Sequence, residues 1–356
     1  MLTSKWDHRF LLLARHISGW SKNPAERHGA VLADDLRRVH SLGYNGFPRG
    51  IEDTPERLSD DRQRTSLTIS AERNALLQAE MPITGTTLYS TRFPDPKDAK
   101  SVVQRRVSRV VAPLAQKSGI ETDFHLRHAQ AILSEGGVRV EFIDLEALGN
   151  VQAASRGASW EHRLMTLSFF VAAWSKDPST KVGSVISDRR RRVLSLAYNG
   201  FPRGIADTDE RLTNRETKYA LVHHAEANAL DAAETSVLDA TLYTTLFSCH
   251  ECCKHIIQRG IPRIVTPMID LNHPRLGSSF AESLRLFREA GVEILYIDPL
   301  TGATTLDSQN VVTLPESLTA SFSVQSQNEA LPTLGSDLVI QSAENLIPLS
   351  RGTCCS

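Results

Sequence analysis

The four tryptophans of this 356-residue chain fall into two pairs with one spacing: Trp6 with Trp160, and Trp20 with Trp174. The loops Tyr44-Asn45-Gly46-Phe47-Pro48-Arg49-Gly50 and Tyr198-Asn199-Gly200-Phe201-Pro202-Arg203-Gly204 are identical and stand 154 residues apart (198 − 44). The same shift carries Glu72 to Glu226, Leu88-Tyr89 to Leu242-Tyr243 and Gly137-Val138 to Gly291-Val292. A shift that stays constant this far leaves no net insertion or deletion between the copies, and the sequence reads as two homologous domains in tandem, each of ordinary domain size. We place the first domain at 1–145, a linker rich in Ala, Ser and Gly at 146–159, and the second domain at 160–300. The tail, 301–356, is rich in Ser, Thr and Leu and shows no sustained period, so it is expected to be disordered or to be a docking segment.

Within the second copy, Trp160, Leu164, Leu167 and Val171 occupy one face of a helix, as Trp6, Phe10, Leu13 and Ile17 do in the first. The Pro178 of Ser175-Lys176-Asp177-Pro178 ends that helix, because proline disfavours helical geometry in the residue before it. Strands are expected at 183–186 and 193–198, then a helix at 224–233, a strand at 240–244, a helix at 251–259 and a strand at 261–265. A helix carrying Phe280, Leu284 and Phe287 and a strand at 292–297 complete the unit. The expected class is α/β, each domain a mostly five-stranded mixed sheet between helices in three α/β/α layers.

Hydrophobic residues make up 41% and charged residues 23%, enough for two soluble cores. The 40 basic and 41 acidic residues leave a net charge of −1, without the broad positive field that a polynucleotide-gripping surface uses. The 6% of aromatic residues also offers few stacking platforms, which argues against a nucleic-acid partner. The N-terminal stretch breaks its one apolar run, Leu11-Leu12-Leu13, with charges and histidines, so neither a signal peptide nor a membrane span is expected there. A cytoplasmic protein is the default. The five cysteines all lie in the second half, three of them at Cys249, Cys252 and Cys253, a clustering that points to metal chemistry and not to a disulfide framework. No G-x-x-x-x-G-K-[ST] sequence occurs, which excludes a P-loop module within this chain.

The chemistry-bearing residues are His224-Ala225-Glu226 and Cys249-His250-Glu251-Cys252, each at an expected helix start. Zinc favours imidazole and thiolate, and a catalytic zinc keeps three protein ligands and one open position. Cysteines three apart on a first helical turn face the same way, and the positive end of the helix dipole favours their thiolates. His224, Cys249 and Cys252 are therefore the candidate ligands. Glu226, two residues beyond His224, is placed to exchange protons without ligating. A zinc-bound water has a pKa of about 7, so a neighbouring carboxylate can relay its proton at neutral pH. This H-x-E…C-x-x-C arrangement is that of zinc nucleobase deaminases. A structural site would need a fourth ligand, for which His223, His250, Cys253 and His255 are at hand.

The resemblance extends beyond the metal motif. Ser175-Lys176-Asp177-Pro178, Lys181-Val182-Gly183, the 198–204 loop, Lys218-Tyr219 before His224-Ala225-Glu226-Ala227-Asn228-Ala229, and Ile256-Ile257-Gln258-Arg259-Gly260-Ile261 together closely resemble the deoxycytidylate deaminase family over about residues 160–298. Ser248 departs from the proline usual in that family before the first cysteine. The resemblance implies two cytidine-deaminase-like folds, one zinc ion per chain in the second domain, and hydrolysis of dCMP to dUMP and ammonia. It implies Glu226 as proton shuttle, Asn199 on the sugar, and backbone near Ala225 on the cytosine edge. Lys176, Lys181, Arg203 and Lys218 are the phosphate candidates; Arg203 can bind phosphate through two nitrogens. A dCTP deaminase, a polynucleotide deaminase acting on tRNA or single-stranded DNA, and a non-catalytic nucleotide sensor are the competing readings. A homo-oligomer regulated by dCTP or dTTP is the further implication.

The 154-residue shift puts Ser70, Asp95 and Asp98 in the first domain where His224, Cys249 and Cys252 stand in the second, while Glu72 is kept. The first domain is thus expected to lack zinc and deaminase activity. Its identical loop, with Asn45 and Arg49, is either a folding requirement or the remnant of a regulatory nucleotide site.

Overall fold

The computed structural model describes residues 4–80, 82–113, 120–144 and 158–307. The linker between the expected domains falls almost wholly outside the described residues, as does the tail from residue 308 on. The chain forms two compact units, one of Met1–Arg163 with Ser187–Ser195 and Ala233–Thr235, the other of Leu164–Ile186, Leu196–Ala232 and Ser236–Ser356.

The first half runs α1 (Lys5–Ser18), β1 (Gly29–Ala33), β2 (Val39–Tyr44), α2 (Pro55–Ser59), α3 (Asp61–Leu67), α4 (Ala71–Gln78), β3 (Thr87–Ser90), α5 (Pro96–Gln104), β4 (Arg109–Ala112), α6 (Ile120–Glu135) and β5 (Arg139–Phe142). Its strands lie in the order β2-β1-β3-β4-β5; β1 is antiparallel to β2 and β3, whereas β3, β4 and β5 are parallel. Every residue of β1 is buried, as a strand covered on both faces must be. On one face Ala30, Leu32, Leu88 and Val110 pack with Ala71, Ala75, Ala99, Val102 and Leu133 of α4, α5 and α6. The alternating residues face the other way, where Phe10 of α1 lies 5.0 Å from the Tyr89 ring. The Ser4 hydroxyl and the Asp7 carboxylate form a reciprocal capping box that starts α1.

Asp7 then does a second task. Nearly inaccessible at 3% exposure, it accepts from Arg109 Nη1 at 2.8 Å and Nη2 at 3.0 Å, and from the Tyr89 hydroxyl at 2.9 Å. Burial draws its carboxyl upward, but the Arg109, Ser4 and Tyr89 hydrogen bonds outweigh burial and hold it at about 2. A carboxyl lower in the folded than in the unfolded chain stabilises above the unfolded value and loses that contribution as pH falls through the folded one. The expected result is a wild-type loss of about 2 kcal/mol between pH 4 and pH 2 that Asp7→Asn does not show, read by urea unfolding of both proteins.

In the second half the elements recur at the same spacing: α7 (Trp160–Ala172), β6 (Gly183–Ser187), β7 (Val193–Tyr198), α8 (Asp209–Thr213), α9 (Arg215–Leu221), α10 (Ala225–Ala232), β8 (Thr241–Thr244), α11 (His250–Gln258), β9 (Arg263–Thr266), α12 (Gly277–Glu289) and β10 (Glu293–Ile297). A further strand, β11 (Thr304–Leu306), pairs antiparallel with β10 and makes the sheet six-stranded, β11-β10-β9-β8-β6-β7. Five strands were expected. The sixth comes from the segment read as tail: Asp298 caps the turn through Leu300 and Thr301, and Arg288 clasps Asp307 through two bonds of 2.9 Å. The short α8 and α9 were also missed; each starts on a capping side chain, Thr208 and Asn214, and carries one buried residue, so no apolar period announces it.

One glycine shows how closely helix and sheet approach. A Cβ at Gly183, the first residue of β6, would stand 2.0 Å from the Ser168 carbonyl oxygen and 2.6 Å from the Ala172 nitrogen, both on α7. Gly29 meets the Ala14 carbonyl of α1 in the same way, at 1.9 Å. Gly183→Ala is expected to destabilise by about 1–3 kcal/mol, since a backbone cannot rotate aside as a side chain can; a thermal unfolding curve unchanged from wild type would refute it. Among the described residues, no helix is long and apolar enough to cross a membrane.

Candidate active site

The site is built on the starts of α10 and α11. The His224 carbonyl accepts the first bond of α10, from the Asn228 amide at 2.9 Å, which leaves Ala225 and Glu226 on its first turn. Cys249 is the N-cap of α11 and accepts from the Cys253 amide through its backbone, while its side chain takes no part in capping. The sulfur is therefore free to face the neighbouring helix, and Cys252 follows one turn on.

His224 Nδ1 lies 3.4 Å from the Cys249 sulfur and 3.4 Å from the Cys252 sulfur, and the three ligand atoms fall within 4.8 Å of one another. A tetrahedral zinc with ordinary Zn–S and Zn–N bonds separates such atoms by about 3.5 Å, so this donor set fits zinc in both softness and spacing. The Cys249 thiol is drawn down to about 4 by hydrogen bonds with Cys252 and His224, against its burial. His224 is pushed up to about 9, chiefly by the same bond to Cys249, and Cys252 is pushed up by its bond to Cys249 and by burial. Protons shared in this way are those a bound cation displaces.

The side chains that might have closed the site look elsewhere. His223 pairs with Asp231, His250 faces the Ser279 hydroxyl, the Cys253 sulfur points to the Ser283 carbonyl, and His255 is exposed. The metal-type group among the described residues holds three donors, the number that leaves a coordination position open. Glu226 is 4% exposed; burial raises its carboxyl, His224 works against that rise and Cys249 with it. Such a carboxyl exchanges protons nearer neutrality than an ordinary one.

The zinc-binding region of cytidine and deoxycytidylate deaminases matches residues 158–268. An uncharacterized deaminase from the luxG 3' region of Aliivibrio fischeri is 37% identical over 144 residues, 39% of this chain and 95% of that one. Human deoxycytidylate deaminase is 33% identical over 166 residues, 44% of this chain and 89% of that one. The chain belongs to the cytidine and deoxycytidylate deaminase family.

Other residues singled out in the deaminase sequence have clear places. Asn199 is buried, its Oδ1 accepting from the Val182 amide at 2.8 Å and its Nδ2 donating to the Thr180 carbonyl at 2.9 Å. The next residue, Gly200, exchanges backbone bonds with His223, the neighbour of His224. The 198–204 loop thereby braces the start of α10, and Asn228 adds a bond from α10 back to the Tyr198 carbonyl. Asn45 makes the matching bonds to His28 and Glu26, Gly46 pairs with Ile69, and Asn74 reaches Tyr44. These shared bonds give Tyr44, Asn45 and Gly46 the same folding role as Tyr198, Asn199 and Gly200. Ala225 is fully buried, and Arg49 and Arg203 are exposed. Lys176 pairs with Asp207 at 2.8 Å, as Lys22 does with Asp53 at 2.9 Å. Lys218 is buried against Asp177 at 3.1 Å and Ser179 at 3.0 Å.

The sequence reading missed the company Lys218 keeps. Tyr219, half exposed, has Arg215 and Lys218 over its ring and Arg275 donating to its hydroxyl at 3.2 Å. Arg275 lies 56 residues away along the chain, and no motif marks it.

Proposed function

We propose that the second half hydrolyses dCMP to dUMP and ammonia, holding one zinc ion per chain on His224, Cys249 and Cys252. The convergence of those three donors beside the buried carboxyl of Glu226 carries this reading. Several relatives bear the name deoxycytidylate deaminase, which supports dCMP as the substrate. Bound zinc supplies an acidified water at neutral pH. Glu226 takes the first proton from water and delivers it to the ring nitrogen, then takes the second from the new C4 hydroxyl and passes it to the departing ammonia, so that both protons of the water are accounted for. Backbone near Ala225 meets the cytosine edge, and the 198–204 loop keeps the start of α10 in place while Asn199 lies beside the sugar. The chain acts in the cytoplasm as a homo-oligomer.

For the phosphate, the structure adds a candidate to Lys176, Lys181, Arg203 and Lys218. Arg275, with Arg215 and Tyr219, forms a cationic and aromatic cluster at α9, the helix that leads into His224. Arg275→Ala is expected to raise KM for dCMP by about tenfold or more while leaving turnover of deoxycytidine as it was, since only the former carries the anion. Equal losses on both would remove Arg275 from the phosphate site. Assays of dCMP, dCTP and cytidine side by side, with zinc content measured on the same sample, test the whole reading; inactivity on all three refutes it.

A further inference from the structure

In the first half, the positions matching the ligands and the proton carrier are occupied by Ser70, Asp95, Asp98 and Glu72. Ser70 caps α4 by accepting from the Arg73 amide, and Asp95 caps α5 by accepting from the Lys97 and Asp98 amides. Two positions that would have held metal now serve the helix ends directly. Glu72 and Asp98, both fully buried, would leave two negative charges facing each other in the interior. Between them lies Arg92. Its Nη2 donates to Glu72 Oε2 at 3.1 Å and to Asp98 Oδ2 at 2.8 Å.

The remaining carboxylate oxygens are engaged as well. Asp98 Oδ1 accepts from the Ser70 hydroxyl at 2.6 Å and from Arg73 Nη2 at 3.1 Å, and Glu72 Oε1 accepts from the Ser90 hydroxyl at 2.6 Å. Burial works against the Glu72 charge, but Arg92 and Ser90 outweigh it and hold this carboxyl below its usual value. Burial and the Glu72 and Asp95 charges push Asp98 up to about 6, so the cation has to serve both groups. In the second half the position of Arg92 is Leu246, which brings no charge to the zinc donors.

We propose that the Arg92 guanidinium takes the place of the zinc ion in the first half, bonding to the residues that stand where Cys252 and Glu226 stand in the second. The first half is then a metal-free, charge-neutralised version of the site, holding α4 and α5 together by an internal cation. Glu72 is kept as the partner of Arg92 and has no proton to carry. With every carboxylate oxygen of Glu72 and Asp98 already accepting, the first half takes up no divalent cation.

The inference for the first half stands apart from the zinc reading of the second, and one experiment on the zinc-loaded full chain separates them. Amide hydrogen exchange is followed on α4–α5 and on α10–α11. Adding 1,10-phenanthroline is expected to speed exchange in α10 and α11 and to leave α4 and α5 at their original rates. Arg92→Ala is expected to do the reverse, raising exchange in α4 and α5 by roughly a hundredfold or more while zinc stays at one per chain. Removing the charges together with the arginine, as R92A/E72Q/D98N, is expected to restore most of the lost protection, which a merely packing role for Arg92 would not do. Loosening of α4 and α5 by the chelator to the extent seen in α10 and α11, two zinc ions per wild-type chain, or wild-type protection in Arg92→Ala would each overturn the proposal. A chain without zinc whose α10 and α11 ignore the chelator would instead sink the deaminase reading, while the Arg92 variants still decide this one.

Discussion

Glu226→Gln is expected to lower dCMP turnover by at least about a hundredfold, and by as much as ten-thousandfold, with zinc content unchanged. The amide has nearly the volume of the carboxyl and sits in the same buried position on the first turn of α10, so the fold and the metal donors are left intact. What is removed is a group that can accept a proton and give it back. The effect should fall on kcat more than on KM, because proton transfer belongs to the reaction and contributes little to holding the ground state. Single-turnover kinetics with parallel metal analysis checks both halves of the expectation. A fully active variant would refute the mechanism, and loss of zinc would show Glu226 to be part of the metal site.

The second large effect concerns the donors. Cys252→Ser is expected to weaken zinc binding by about three orders of magnitude, given roughly 10–16 kcal/mol for a protein zinc site shared among its ligands. Activity should vanish at ordinary zinc concentrations. Stability should fall too, because a metal held by these donors would join the starts of α10 and α11, and Cys249 otherwise contributes no side-chain cap to α11. Zinc competition with a chromophoric chelator, followed by thermal unfolding with and without metal, would measure the two losses separately. Retained stoichiometric zinc at sub-micromolar concentration would rule out Cys252 as a ligand.

Much of the fold was legible because the relevant signals are local. Strand β7, at Val193–Tyr198, has the bounds its residues suggested, and the neighbouring elements differ by one or two residues, as helix and strand ends commonly do. The elements α8 and α9 were not legible, being helices of five and seven residues begun by Thr208 and Asn214 without a core-facing stripe. Strand β11 was hidden in a stretch without period, since it is an exposed edge strand held by pairing to β10 and by the Arg288–Asp307 bonds. The clustering of His224, Cys249 and Cys252 could be read because zinc chemistry demands particular residue types at particular spacings. Arg275 could not, since its place beside Tyr219 depends on how the segment before α12 folds back.

The two halves show where sequence stops and tertiary structure takes over. The constant shift of 154 residues and the absence of His, Cys and Cys from the matching positions of the first half are properties of the chain alone, and they determine which half has the metal-type donor set. They also make Glu72 look like a catalytic remnant. Only the packed structure reveals its partner, because Arg92 reaches Glu72 across 20 residues and Asp98 across 6, from a different element in each case. A buried carboxylate must find a cation or a proton, and which one it finds is decided by the side chains that three-dimensional packing brings within about 3 Å. In the second half the donor set suits zinc; in the first the cation is part of the chain.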